Sequence, residues 1–141
     1  MAVRIYGPKS NLKGRLTEHL QRRLYMTVAA ILFAIAAVGG VVMAAMRFGG
    51  RELPPMALAI VHGLFAAAGL LMLILAVVGA QVSWVAVVAL VGFVVAALGG
   101  FMLFAHHLRR QALPVNYVVI HGAGAVISFV ILLVAIFVVR G

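Results

Sequence analysis

The sequence predicts an all-α integral membrane protein: a four-helix, up-down-up-down transmembrane bundle built from two repeated helical hairpins. Three observations predict it. Composition is the first. Of 141 residues, 67% are hydrophobic and 9% charged, with a mean hydropathy of +1.27. Soluble domains are about 45–50% apolar and about 25% charged, so a water-soluble globular domain and a disordered chain are both excluded. The second observation is four apolar runs, each near the roughly 20 residues that cross a bilayer core. The third is an internal match at a shift of sixty residues.

Taken in order, residues 1–23 form a cytoplasmic N-terminal segment. Within it Leu12, Leu16, Leu20 and Leu24 recur every four residues among Lys13, Arg15, Arg22 and Arg23. That pattern predicts an amphipathic helix over Asn11–Leu24, lying on the inner membrane surface. The bundle follows over residues 24–141. Span one runs over Leu24–Met46, too long for a signal-peptide core and without a clear cleavage signature. Span two covers Met56–Val78, span three Val82–Ala105 and span four Val115–Val139. Pro54, Pro55 and Pro114 open spans two and four, where a missing N–H is tolerated. The connections are short, at Arg47–Pro55, Gly79–Gln81 and His106–Pro114. Short links between long helices join antiparallel neighbours.

The 11 basic residues outnumber the 2 acidic ones, giving +9. Such an excess suits a nucleic-acid binder until the residues are located. They flank the apolar runs, so lipid rather than nucleic acid is the expected partner. Arg4, Lys9, Lys13, Arg15, Arg22, Arg23 and Arg140 fall on one side; Arg47, Arg51, Arg109 and Arg110 fall on the other. The bias places both termini in the cytoplasm, and the expected location is a bacterial inner membrane. Cysteine is absent, which removes disulfides, thiolate metal sites, iron–sulfur clusters and covalent haem attachment.

The repeat pairs Val28 with Val88, Phe33 with Phe93, Gly39 and Gly40 with Gly99 and Gly100, and Leu53-Pro54 with Leu113-Pro114. One residue is then lost, and His62-Gly63 pairs with His121-Gly122 at fifty-nine. Repeat one covers about 24–80 and repeat two about 81–141. Both copies enter the membrane in one direction, so the implied pseudo-two-fold runs along the membrane normal.

Each histidine lies seven residues past a helix-opening proline, about 10 Å below the outer helix ends at 1.5 Å per residue. The two Gly-Gly pairs fall at the same depth. The bundle is therefore expected to hold one layer of two imidazoles and four glycines. An ionisable residue within a span is costly and points to function. His62 and His121 could supply both axial ligands of a metal, glycines could admit a flat macrocycle, and Arg47, His106 and His107 near the rim could meet its carboxylates. Met43, at that rim, is an alternative axial ligand.

With His62 and His121 facing one another beside Gly39, Gly40, Gly99 and Gly100, the chain resembles the small b-type membrane cytochromes. Those hold bis-histidine haem in four helices and move electrons to or from quinones or soluble partners. The resemblance covers the four spans, not residues 1–23. It implies one non-covalent haem b near the outer face, with a quinone, small oxidant or extracytoplasmic redox partner near His106 and His107. Many members carry a second haem near the inner face; here the one histidine on that side is His19, outside the spans.

Blander readings exist for each feature. Gly-Gly pairs commonly mark close helix packing, and buried histidines can hydrogen-bond between helices. His106 and His107 suit a solvated helix end, and the arginines suit headgroup anchors. His62, His106, His107 and His121 could instead gather a Zn²⁺ or Cu²⁺ ion, for binding or transport. Alternatively the chain is a non-catalytic subunit of a larger complex, or a homo-oligomer. Glu18 and Glu52 are the only carboxylate side chains, so no acid–base pair or Ser-His-Asp set can form. Any chemistry must come from a cofactor.

Overall fold

In the computed structural model, which describes residues 8–79 and 83–139 and side chains from residue 12, the chain is all-helical. It forms α1 (Pro8–Phe48), α2 (Met56–Val78), α3 (Trp84–Leu108) and α4 (Val115–Phe137). All four are long and apolar enough to span a membrane. This is the constitution of an integral membrane protein. Arg4 and Arg140 of the charge count lie outside the described residues, as do Gln81 and Val82 at the predicted start of span three.

α2 has the predicted bounds, and α4 ends two residues early. α1 differs most. It is a single helix of 41 residues, so the leucine-striped segment and the first span are continuous, with no break at residue 24. The physical reason is local: from Leu12 to Ala37 the chain has no proline and one glycine, Gly14, so nothing interrupts the backbone ladder. Leu12, Leu16, Leu20 and Leu24 remain exposed along this extension.

Proline and left-handed caps bound the helices at the α1–α2 and α3–α4 connections. Pro55 and Pro114 are the N-caps of α2 and α4, with extended ψ values of 132° and 123°. After α1, Arg51 N–H donates to the Met46 carbonyl and Gly50 N–H to Arg47. After α3, Gln111 donates to His106 and Arg110 to His107. Both are Schellman closures, which require a left-handed residue. Gly50 takes it at φ 94°, but Arg110 takes it at φ 54°, where a side chain is disfavoured.

α1 packs on α2 and α4, and α3 packs on α2 and α4; across the diagonals no Cα atoms of the described residues come within 8 Å. The core is narrow and made largely of small residues. It contains Met26, Ala29, Phe33 and Ala36 from α1 and Ala86, Ala89, Phe93 and Ala96 from α3. Gly69, Leu73 and Ala76 of α2 and Ser128, Leu132 and Ala135 of α4 are buried in the same interior. Spacings of three and four put each set on one helix face. Small residues let helices approach closely, which is how membrane helices gain packing energy. The outward faces carry exposed Ile31, Val38, Leu71, Val95, Phe101 and Val130, the surface that hydrocarbon solvates.

Two pairs of side chains bridge the diagonals. Phe33 of α1 stacks on Phe93 of α3, with centroids 3.7 Å apart and planes 3° from parallel. His62 of α2 meets His121 of α4. The bundle thus has an aromatic layer and, about two turns toward the α1–α2 and α3–α4 loops, a histidine layer.

Candidate functional site

The histidine layer is built the same way on each side. His62 Nδ1 lies 2.8 Å from the Ala36 carbonyl of α1, and His121 Nδ1 lies 2.8 Å from the Ala96 carbonyl of α3. A carbonyl only accepts, so Nδ1 donates in both rings. In a neutral imidazole this leaves Nε2 as the lone-pair nitrogen. Both rings are half-buried. Their centroids are 6.2 Å apart and their planes 77° from parallel.

The glycines explain how the rings get there. A Cβ on Gly40 would stand 3.2 Å from His62 Cε1, and a Cβ on Gly100 would stand 3.1 Å from His121 Cε1. Gly39 and Gly99 approach the β-carbons of the same histidines at 3.6 and 3.5 Å. Each Gly-Gly pair is therefore a seat for an imidazole. The room expected for a macrocycle at the glycines is taken by the histidine rings themselves. Sequence depth alone could not separate these uses, because it fixes height along a helix and not facing.

The outer residues divide. Arg47 Nε donates to the Leu113 carbonyl at 2.7 Å, tying the end of α1 to the loop before α4. Leu113 N–H reaches the Glu52 carbonyl in the other outer loop. His107 is buried in the last turn of α3. His106 turns back to the Met102 carbonyl and lies edge-on to Tyr117. Met43 is half-buried one turn beyond the glycines. Toward the start of α1, His19 pairs with Arg22 at 3.1 Å.

His62, His106, His107 and His121 are not gathered into one cluster. Among the described residues no three of His, Cys, Asp and Glu come together as a metal group. The expected four-histidine Zn²⁺ or Cu²⁺ site is thus not assembled, because His106 is folded onto its own helix.

The ring separation is compatible with a metal held between the two imidazoles. Metal–imidazole bonds of about 2 Å, plus roughly 1 Å from nitrogen to ring centre, put in-line centroids roughly 6 Å apart. The observed separation is 6.2 Å. A carbonyl bond at the second ring nitrogen is also the usual orienting contact of a metal-binding histidine. The Ala36 and Ala96 carbonyls had no side-chain signal to announce them. Their identity in both halves of the chain was the available clue. No protein-family model, curated protein or solved structure matches this chain.

Proposed function

We propose that the chain is a b-type membrane cytochrome that holds one haem between His62 and His121. The observation that carries this reading is the matched pair of Nδ1–carbonyl bonds. Each fixes a ring on its own hairpin and leaves Nε2 for a ligand bond. When bound, the haem would supply one-electron transfer, with its potential tuned by axial ligands and burial. The chain's own residues do the rest. Gly39, Gly40, Gly99 and Gly100 admit the imidazoles to the helix backbones. Ala36 and Ala96 orient them. Arg47 and His107, near the outer ends of α1 and α3, offer cationic or hydrogen-bonding groups to haem carboxylates. The exposed neighbourhood of His106 and Tyr117 would receive a quinone, small oxidant or extracytoplasmic redox partner. The electron donor and acceptor define whether the chain acts as an oxidoreductase or as an electron-transfer subunit.

The architecture in this reading is up-down-up-down, from two copies of one hairpin. Contacts between α1 and α2 support antiparallel packing, since Gly39 meets Leu58 while Phe33 meets Gly69. Burial supports duplication. Ala29, Phe33 and Ala36 match Ala89, Phe93 and Ala96 at sixty, while Leu73 and Ala76 match Leu132 and Ala135 at fifty-nine. The two Schellman closures also correspond bond for bond at sixty. The charge count supports cytoplasmic termini in a bacterial inner membrane.

An absorption spectrum of the detergent-purified chain, before and after dithionite, tests the reading. A sharp Soret band with split visible bands on reduction is expected, and His62→Ala and His121→Ala should each lose it while still inserting. A featureless spectrum after expression with haem available would refute the cytochrome. The paired histidines would then be interhelical hydrogen bonds in a packing subunit.

A further inference from the structure

The opposite end of the bundle holds a cavity of about 190 Å³. Arg22, Arg23 and Thr27 of α1 and Ser83 before α3 line its polar part; Met26 and Phe137 contribute to its apolar wall. Two arginines and two hydroxyl-bearing residues line it, and no acidic side chain among the described residues does. Arg22 is buried, at 9% exposure, with its Nη2 3.1 Å from His19 Nδ1, and Arg23 beside it is exposed. Guanidinium forks match the oxygens of a phosphate, and hydroxyls add donors.

Depth gives the second argument. Arg23 and Arg47 are 24 residues apart on the one helix α1, or about 36 Å. A bilayer is about 30 Å across its hydrocarbon and about 40–45 Å with its headgroups. With Arg47 at one rim, Arg22 and Arg23 stand at the other, where lipid phosphates lie. The cavity's arginines therefore fall at the depth of that layer. Arg22 and Arg23 correspond at sixty to Val82 and Ser83, so the cationic half is present once.

We propose that this cavity binds a phosphate group, carried by an anionic phospholipid headgroup or free in solution. The site stands independently of the haem reading and about 15 Å from it, since Met26 precedes Ala36 by ten residues at 1.5 Å each.

The full chain, purified in detergent, would be titrated with phosphatidylglycerol, diacylglycerol and inorganic phosphate, with binding read by native mass spectrometry and thermal melting. One phosphatidylglycerol per chain is expected, with little binding of diacylglycerol. Arg23→Gln should weaken binding about fivefold, the effect of one interfacial cation, and Thr27→Val should weaken it less. Arg51→Gln, at the far end, should leave it unchanged. Arg23 and Thr27 are exposed, so these variants keep the fold where Arg22→Gln need not, and helical circular dichroism verifies this. Protection by inorganic phosphate as strong as by the lipid would assign the free anion as the source. Equal retention of diacylglycerol, no binding of either phosphate species, or indifference to Arg23→Gln in a folded protein would overturn the proposal.

Discussion

Gly92 and Ser128 form a size-matched contact between α3 and α4, and Gly92→Ala tests how tightly the second hairpin is packed. A Cβ at position 92 would overrun Ser128 Oγ and stand 3.2 Å from Ser128 Cβ. Ser128 is 2% exposed and its hydroxyl already donates to the Gly124 carbonyl at 2.7 Å, so it has nowhere to swing. Overpacking costs about 1–3 kcal/mol. The upper end applies here, because two atoms of one buried side chain are struck. Against this, alanine favours helix over glycine by about 1 kcal/mol. The net loss is about 2 kcal/mol. Ser128→Gly alone removes the obstacle at a helix-propensity cost of about 0.5–1 kcal/mol. The double variant should then be within about 1 kcal/mol of the parent, a coupling of about 3 kcal/mol, the whole overpacking cost. The corresponding positions in α1 and α2 are Leu32 and Gly69, and there the glycine lies against the Phe33 ring. Reversible unfolding in mixed micelles, read by circular dichroism, gives the four stabilities. A neutral or stabilising Gly92→Ala, or losses that simply add in the double variant, would refute the reasoning.

Other perturbations follow from single contacts. Arg110→Gly should stabilise the chain by about 1 kcal/mol by relieving the left-handed arginine after α3, with Gly50→Ala destabilising the matching turn; the same unfolding assay reads both. Phe33→Ala and Phe93→Ala should each cost about 2 kcal/mol, less than in a water-soluble core because lipid supplies no hydrophobic drive. Their double variant should cost less than the sum, since both lose one stack. Arg47→Lys keeps the charge but loses the Nε contact to Leu113, and should cost about 1 kcal/mol. Faster proteolysis of the loop before α4 would report it, and an unchanged cleavage rate would count against the tie.

Much of the architecture was legible because the bilayer constrains it so strongly. Four runs of about 20 apolar residues leave few choices, and Pro55 and Pro114 mark the starts of α2 and α4 to the residue. The lower boundary of span one was not legible. An amphipathic stripe records a change of surroundings, while the helix ladder through Leu24 records only the absence of a breaker. At the site, heptad counting placed His62, His121 and the glycines in one layer, and the structure brings them together. Their roles were less visible. The glycines face imidazoles, and the partners that aim the rings are carbonyls, which carry no residue-specific signal. Phe33 and Phe93 were recognisable as a matched pair, but their contact across the diagonal depends on Gly69. A Cβ there would stand 3.1 Å from the Phe33 ring.

The two diagonals divide labour between the hairpins. Each histidine is oriented by the helix preceding its own, α1 for His62 and α3 for His121, so neither Nδ1 bond crosses between the α1–α2 and α3–α4 pairs. What joins the halves at the centre is the Phe33–Phe93 stack, three residues from each orienting carbonyl. In the proposed reading the ligand pair is therefore preorganised within hairpins and brought to its spacing between them. That separation makes a distinguishing expectation. Weakening the stack with Phe93→Leu should alter ligand spacing and lower haem retention while leaving each Nδ1 bond intact. Gly100→Ala should instead disturb one ring and shift the visible bands. If both variants lost haem with identical spectra of the retained fraction, aiming and spacing would not be separable, and the two-hairpin account of the site would fail.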